Sequence, residues 1–210
     1  MWSYERRNMR IVLAITGASG ARYGLRLCEE LLAAGHSVIV LVSSAGFSVL
    51  ESETGLDWNG TEPEVCGQLR GRFRVPENRI RFYSENNLLA PVASGSAAAD
   101  AMVVCPCSMG TLARIACGIS GNLLERCADV MLKERRPLVL VPRETPLSEI
   151  HLENMLKLAR MGAAIVPAMP ALYHAPRSVE QMIDFVIGKA LEALNIEHRL
   201  YRPWNPMESR

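Results

Sequence analysis

Residues 9–24, with the sequence MRIVLAITGASGARYG, decide the fold of this chain. Residues 11–15 are a short apolar run with β-branched side chains, which is typical of a strand buried on both faces. The run ends in the small-residue turn 16–20, and the amphipathic pattern after it predicts a helix. The N–H groups of such a turn and the positive end of the helix converge on one point. The sequence therefore predicts that a phosphate group binds there.

Length and composition favour a single globular domain, since 49% of the 210 residues are apolar and 21% are charged. The net charge of +1 gives no basic field for nucleic acid. No apolar run is long enough to span a membrane. The six cysteines are spread through apolar surroundings and no signal peptide precedes residue 9. These features predict reduced thiols in a cytoplasmic protein.

Strand and helix patterns alternate along the chain, which predicts one α/β domain with a doubly wound, mostly parallel sheet. We expect residues 1–8 to be a flexible leader and residues 9–194 to be the domain. The tail 195–210 carries aromatic residues beyond the last helical pattern, and we expect it to pack at a subunit interface. Residues 56–78 are turn-rich, so we expect surface loops with at most one short helix.

A second small-residue loop follows the buried strand predicted for residues 100–105. It covers residues 106–111, with the sequence PCSMGT, and a helix is expected from about Leu112. In doubly wound sheets two such loops meet above the carboxyl ends of the strands, where ligands bind. The pair of cysteines at 105 and 107 has no matching second pair, which favours a packed strand end over a redox or metal site.

Charged residues stand at two further places of interest. Arg143 and Glu144 follow the predicted strand 137–142 and are held between prolines, where ligand chemistry occurs in this fold class. Arg126 and Lys133 are seven residues apart and share one face of a predicted helix. Taken alone, these charges are also compatible with weak surface ion pairs and a solvated helix face.

Several familiar enzyme classes do not fit. A nicotinamide-binding fold needs an acidic residue after the second strand, where this chain has Ser43 and Ser44. None of the tyrosines has the lysine four residues later that short-chain dehydrogenases use to lower the pKa of the phenol. The chain lacks the G-x-S-x-G elbow that would indicate a hydrolase. The four histidines show no metal-ligand spacing, so no metal is expected.

Four segments together resemble the UbiX-type flavin prenyltransferases. They are ITGASGARYGLRL in the opening stretch, ASGS at 93–96, the long segment from CPCSMGT to EIHLENM, and MPALYH at 169–174. The resemblance implies a Rossmann-like or flavodoxin-like flavoprotein, commonly a homododecamer. Such an enzyme joins a dimethylallyl group from dimethylallyl phosphate to N5 and C6 of reduced FMN. The product, prenylated FMN, serves a partner decarboxylase of the ubiquinone pathway or of aromatic-acid metabolism.

The resemblance also implies roles for individual residues. Those implied to hold FMN are Gly17, Ala18, Ser19, Ser43, Ser108, Met109, Gly110, Thr111 and Arg143. Those implied to bind the allylic phosphate or its prenyl group are Arg126, Lys133, Tyr173, Lys189 and Trp204, with residues meeting from different subunits. Ser19 and Glu144 would relay protons, and Glu53 would assist near the flavin ring. A cluster of cations and a phenol suits a departing phosphate, on which charge develops.

Three other functions stay open at this point. Related flavoproteins decarboxylate a cysteine, but they rely on a histidine early in the first helix, where this chain has the sequence ARYG at 21–24. A non-catalytic flavin carrier would have no use for the cations or for Glu144. A nicotinamide dehydrogenase lacks its signature residues here.

Overall fold

The computed structural model of the chain describes residues 8–204. Residues 1–7 of the expected leader and residues 205–210 of the tail lie outside the described residues. The strands are β1 Arg10–Ile15, β2 Ser37–Val42, β3 Ile80–Phe82, β4 Ala101–Cys107, β5 Leu138–Pro142 and β6 Ala164–Ile165. The α-helices are α1 Ala21–Ala33, α2 Ser44–Thr54, α3 Glu62–Phe73, α4 Met109–Ala116, α5 Leu123–Lys133, α6 Glu149–Arg160 and α7 Val179–Ala193.

The six strands form one sheet in the order β3-β2-β1-β4-β5-β6, and every pair is parallel. This confirms the predicted doubly wound α/β fold. The strand order reverses direction between β1 and β4, which pair from Ile11 against Ala101. A crevice outside the carboxyl ends of the strands opens at such a switch point.

Helices cover both faces of the sheet, and each face has its own apolar core. One core contains residues of α1, α2, α3 and α7, such as Leu31, Leu69 and Ile187. The other contains residues of α4, α5 and α6, such as Leu112 and Leu158. Burial on both faces explains why the strands are continuous apolar runs. Within residues 8–204, no helix is both long and apolar enough to cross a bilayer.

Two helices differ from the prediction. The segment 56–78, expected to be mainly loops, contains the 12-residue helix α3, which starts with a capping box between Thr61 and Glu64. Only Val65 and Leu69 of α3 are buried, so its apolar stripe is too short to detect in the sequence. Helix α4 begins at Met109, earlier than the predicted Leu112, because the side chain of Ser108 caps it.

Helix α1 lies very close to the sheet because Gly24 has no side chain. A Cβ atom at this position would lie 2.5 Å from the carbonyl oxygen of Cys105 and 2.9 Å from Cγ1 of Ile15. Both neighbours belong to strands of the sheet, so neither can move without disturbing the core. Gly67 of α3 is also helical, but a Cβ atom there would have no neighbour within 4 Å.

We therefore expect the substitutions Gly24→Ala and Gly67→Ala to change stability in opposite directions. Gly24→Ala forces α1 away from the sheet and should destabilise the protein by about 1–3 kcal/mol. Gly67→Ala only improves helix propensity and should stabilise it by roughly 0.5–1 kcal/mol. Urea unfolding of both variants beside the wild type measures the difference. Equal effects of the two substitutions would contradict this account of how α1 packs.

Candidate functional site

The loops that follow β1 and β4 are joined through the side chain of Thr16. This residue is fully buried, and its hydroxyl donates to the carbonyl oxygen of Pro106 at 2.8 Å. The same hydroxyl accepts a hydrogen bond from the N–H of Ser108, also at 2.8 Å. The two small-residue loops predicted to share a ligand are thus held side by side at the switch point. Sequence reasoning passed over Thr16, although it stands at the end of the opening strand.

The loop after β2 lies beside the loop after β1, on the side of β1 opposite to β4. The N–H of Ser43 donates to the carbonyl oxygen of Ile15 at 3.0 Å, and its hydroxyl accepts from the N–H of Gly46 to cap α2. A Cβ atom on Gly17 would lie 2.6 Å from the Cβ of Ala45. Glycine at position 17 is therefore required by this close approach of the two loops. Gly17, Ala18, Ser19, Ser43 and Ser108 all lie at the same edge of the sheet.

The amino end of α1, predicted to be a phosphate site, holds the carboxylate of Glu53. Its Oε2 accepts from the N–H groups of Gly20 at 2.9 Å and Ala21 at 2.8 Å. Burial raises the pKa of this carboxyl group, but hydrogen bonds from Ser19, Gly20 and Ala21 and the charge of Arg143 outweigh burial, so the net pKa lies below its ordinary value. Glu53 is thus an ionised cap that orders the Ser19 loop. The prediction of an open phosphate site at α1 is corrected accordingly.

A second carboxylate lies at the start of α2. Glu85, in the loop after β3, accepts from the N–H of Ser44 at 2.8 Å and from the hydroxyl of the same residue. The first turn of α4 differs, because only Ser108 caps it, accepting from the N–H of Thr111. The N–H groups of Met109 and Gly110 have no acceptor among residues 8–204, and a Cβ atom on Gly110 would meet nothing within 4 Å. Of the starts of α1, α2 and α4, that of α4 is therefore the one with room for an anion.

Arg143 connects the end of β5 to the opening loop. Its Nε donates to the carbonyl oxygen of Ser19 at 3.0 Å, and its backbone N–H donates to the carbonyl oxygen of Cys107 at 3.3 Å. Glu144 is half-buried beside it, and its Oε1 accepts from the N–H of Thr145 at 3.0 Å. Tyr23 also belongs to this group, although the sequence did not single it out. Burial raises the pKa of its phenol, while the charge of nearby Arg143 acts in the opposite direction.

Arg126 and Lys133 lie elsewhere on the chain. Arg126 donates from Nε to the carbonyl oxygen of Ala93 at 3.0 Å and pairs with Asp129. Lys133 is the last residue of α5 and pairs with Glu134. Helix α5 leads into the amino end of β5, whereas Arg143 follows its carboxyl end. Because five residues of strand span about 16 Å, Lys133 and Arg143 lie at opposite edges of the sheet.

The remaining predicted residues meet in a third place, between the loop after β6 and helix α7. The ring of Tyr173 lies edge-on to that of Trp204, with centroids 5.6 Å apart. Lys189 pairs with Glu192 at 2.8 Å and lies over the ring of Tyr201. The hydrogen bond to Glu192, supported by Tyr201, raises the pKa of Lys189.

The described part of the tail, residues 195–204, lies against α7 of its own chain at Gly188. A Cβ atom at Gly188 would lie 2.6 Å from Cε1 of His198 and closer still to Tyr201. Tyr201 and His198 both contact the carboxylate of Glu192. The absence of a side chain at 188 is therefore what lets the tail, with Trp204, close over this third group.

The side chains of Cys105 and Cys107, at the end of β4, are buried in the two apolar cores. Burial raises the pKa of the Cys107 thiol to about 12 and that of Cys105 further, so neither is a thiolate at neutral pH. This agrees with the prediction of a packed strand end at residues 105–107. Among residues 8–204 there is no group of three histidine, cysteine or acidic side chains arranged to hold a metal ion.

A doubly wound sheet with three loops and a helix start gathered at its switch point defines the class of nucleotide-binding and flavin-binding folds. The family model described as Flavoprotein matches residues 2–193, so this chain belongs to the Flavoprotein family. The chain is 50% identical over 192 residues to the flavin prenyltransferase UbiX of Halalkalibacterium halodurans, covering 91% of each chain.

Solved structures agree with this assignment. A crystal structure of AnUbiX (PadA1) in complex with FMN and dimethylallyl pyrophosphate is 41% identical, with a TM-score of 0.82 over 95% of this chain and 98% of that one. A dodecameric FMN-dependent UbiX-like decarboxylase from Escherichia coli O157:H7 is 38% identical, with a TM-score of 0.80 over 94% of this chain and all of that one. At these sequence identities, the two structures share the family of this chain as well as its fold.

The cap formed by Glu53 gives a pH-dependent prediction. Because folding lowers the pKa of this carboxyl group, its contribution to stability is full above the ordinary value of 4.5 and is lost as the pH falls below it. The substitution Glu53→Gln should cost about 1 kcal/mol at neutral pH, by analogy with other helix caps. It should also flatten the loss of stability on acidification, measured by thermal unfolding between pH 7 and roughly pH 3.

The matched control is Glu51→Gln in the same helix, because the Glu51 side chain is exposed and makes no hydrogen bond to residues 8–204. This variant should unfold like the wild type at every pH. Identical pH profiles of Glu53→Gln and wild type would contradict the assignment of Glu53 as an ionised cap.

Proposed function

We infer that this chain is a flavin prenyltransferase, which transfers a dimethylallyl group from dimethylallyl phosphate to reduced FMN. The observation that carries the inference is the convergence of the Ser19 loop, Ser43, the start of α4 and Arg143 at one edge of the sheet. This arrangement fits a flavin mononucleotide. The similarity of the chain to flavin prenyltransferases supports the same function.

The residues at the switch point suit FMN in charge and in space. Carboxylates occupy the starts of α1 and α2, so we place the FMN phosphate at the start of α4, with the N–H groups of Met109 and Gly110 and the hydroxyls of Thr111 and Ser43. Arg143 and the loop 17–19 would hold the flavin ring. Reduced FMN, when bound, supplies the electron-rich N5 and C6 atoms that receive the dimethylallyl group.

The role of the cations is to stabilise the departing phosphate. When the allylic C–O bond breaks, both bonding electrons remain on the phosphate oxygen, and fixed positive charges lower the energy of that state. We assign this role to Arg126, Lys133 and Lys189, with the Tyr173 hydroxyl as a hydrogen-bond donor. Glu144 would carry a proton to the phosphate, and Ser19 would carry one at flavin N5. Glu53 supports Ser19 by ordering its loop.

One chain alone does not assemble this site, because Lys133 lies at the opposite edge of the sheet from Arg143. We therefore propose that Arg126 and Lys133 of one subunit reach the FMN of another, within a homododecamer like that of the E. coli relative. Trp204 would form a wall of the prenyl pocket. Lys133 pairs only with its sequence neighbour Glu134 among the described residues, and its side chain stays exposed, so it can contact another chain.

The product, prenylated FMN, would pass to a decarboxylase that uses it as cofactor, in ubiquinone synthesis or aromatic-acid metabolism. We place the protein in the cytoplasm, because its buried free thiols at positions 28, 105, 107 and 127 suit a reducing compartment.

Mass spectrometry of the flavin tests the function directly. The protein is incubated without oxygen with reduced FMN and dimethylallyl phosphate, and the flavin is then extracted and weighed. We expect the mass of FMN plus one dimethylallyl group. An unmodified flavin mass would overturn the proposed function and favour a carrier or a cysteine decarboxylase, and the latter is assayed separately with a peptide that ends in cysteine.

The substitution Lys133→Ala tests the role of a cation that is distant from the flavin within one chain. We expect a KM for dimethylallyl phosphate raised about tenfold or more, with FMN affinity unchanged, because the lysine contacts only the phosphate. Lys157→Ala, which removes an exposed cation of α6, is the control and should behave like the wild type. Loss of FMN with normal turnover of the remaining holoenzyme would count against this role for Lys133.

A further inference from the structure

The two imidazole nitrogens of His174 are buried and have no hydrogen-bond partner in the described part of the chain. Within residues 8–204, every other buried side-chain nitrogen or oxygen atom has a hydrogen-bond partner, whereas Nδ1 and Nε2 of His174 have none. A polar group in that state destabilises the protein, so its presence calls for an explanation. Neither the FMN site nor the cations of the proposed mechanism use it.

Aromatic rings surround this imidazole. It stacks on Phe185 of α7 with centroids 5.4 Å apart and planes 10° apart, and the ring of Tyr173 lies edge-on at 5.6 Å. Tyr201 of the tail approaches to 6.3 Å. A phenylalanine at position 174 would pack in the same place without two unpaired nitrogens. Packing alone therefore does not explain a histidine here.

The backbone next to His174 is strained. Ala175 has a φ of 50°, in the left-handed region, and its N–H donates to the carbonyl oxygen of Leu172 at 2.9 Å. A side chain other than glycine in this region costs energy, and such strain is concentrated at functional sites. The turn 172–175 thus holds the imidazole at a fixed place beside Tyr173.

The cavity beside this turn has the chemistry of a site for a small organic anion. Its volume is about 650 Å³, and among residues 8–204 its lining includes Arg177 and Arg202 but no carboxylate. Tyr173, Leu200 and Trp204 give it apolar walls. Cations without acidic partners attract an anion, and the apolar walls accept a short hydrocarbon chain.

We propose that His174 binds the phosphate of the allylic substrate by donating a hydrogen bond from its imidazole ring to a phosphate oxygen. This inference rests on the proposed function and adds a binding residue to it. In the present arrangement Tyr201 and Trp204 of the tail help to cover the cavity. The proposed contact requires Tyr201 and Trp204, which line the cavity, to move aside when the substrate binds.

The test compares His174→Phe with the wild type, each loaded with FMN. The variant keeps the stacked ring and removes both unpaired nitrogens, so its unfolding temperature should be equal or higher. Its KM for dimethylallyl phosphate should rise about tenfold or more, with FMN affinity unchanged. A KM within about twofold of the wild type would overturn the proposal. If this variant does not fold, His174→Ala is judged by the same criterion.

His151→Phe is the matched control, because the imidazole of His151 has a partner. It accepts from the N–H of Ser148 at the start of α6, so its loss should lower the unfolding temperature and leave KM unchanged. The two histidine variants should therefore differ in both measurements.

A second measurement separates this proposal from the proposed function. Inorganic phosphate is added to FMN-loaded protein, and the rise in unfolding temperature is compared between wild type and His174→Phe. If the wild type produces no prenylated flavin, the proposed function fails, but a phosphate-dependent rise that is lost in the variant still supports His174 as a phosphate ligand. An equal rise in both proteins overturns it.

Discussion

The arrangement of the functional edge depends on the buried hydroxyl of Thr16. It donates to the carbonyl oxygen of Pro106 and accepts from the N–H of Ser108, so one side chain after β1 satisfies two backbone groups at the end of the adjacent strand β4. Parallel strands at a switch point send their connections to opposite faces of the sheet, which leaves their loops without partners from neighbouring helices. Thr16 supplies these partners and fixes the distance between the two loops that face the ligand.

Charge at the helix starts then decides where an anion can bind. The helices α1, α2 and α4 begin around the switch point, and the macrodipole makes each of these three starts attractive to negative charge. Glu53 and Glu85 neutralise two of them from within the chain. Only the start of α4 combines N–H groups without an acceptor in the described residues with open space above Gly110. In the proposed FMN site, the carboxylates at the starts of α1 and α2 would therefore direct the phosphate group to the start of α4.

The residues assigned to the proposed site lie at two edges of the sheet, and in the proposed function this separation links catalysis to assembly. Tyr173, Lys189 and Trp204 gather around the loop after β6 and the tail, whereas Lys133 lies where α5 enters β5. No movement of side chains within one chain brings Lys133 to Arg143 across the length of a strand. Under the proposed function, assembly of several copies would be a condition for the reaction, and the exposed cations of α5 would act across a subunit contact.

The sequence by itself determined the class of fold and the family. Apolar runs such as residues 11–15 and 138–141 report burial on both faces, and small residues after β1 and β4 mark the ligand loops, because both signals are local. Helix α3 escaped detection since it buries only two side chains. The tertiary structure alone decided how the candidate residues are partnered. Glu53 reaches Gly20 across 33 positions and Arg143 reaches Ser19 across 124, and no local pattern encodes such contacts. The imidazole of His174, unpaired among residues 8–204, is likewise visible only in three dimensions, because a missing partner is a property of everything that surrounds a side chain.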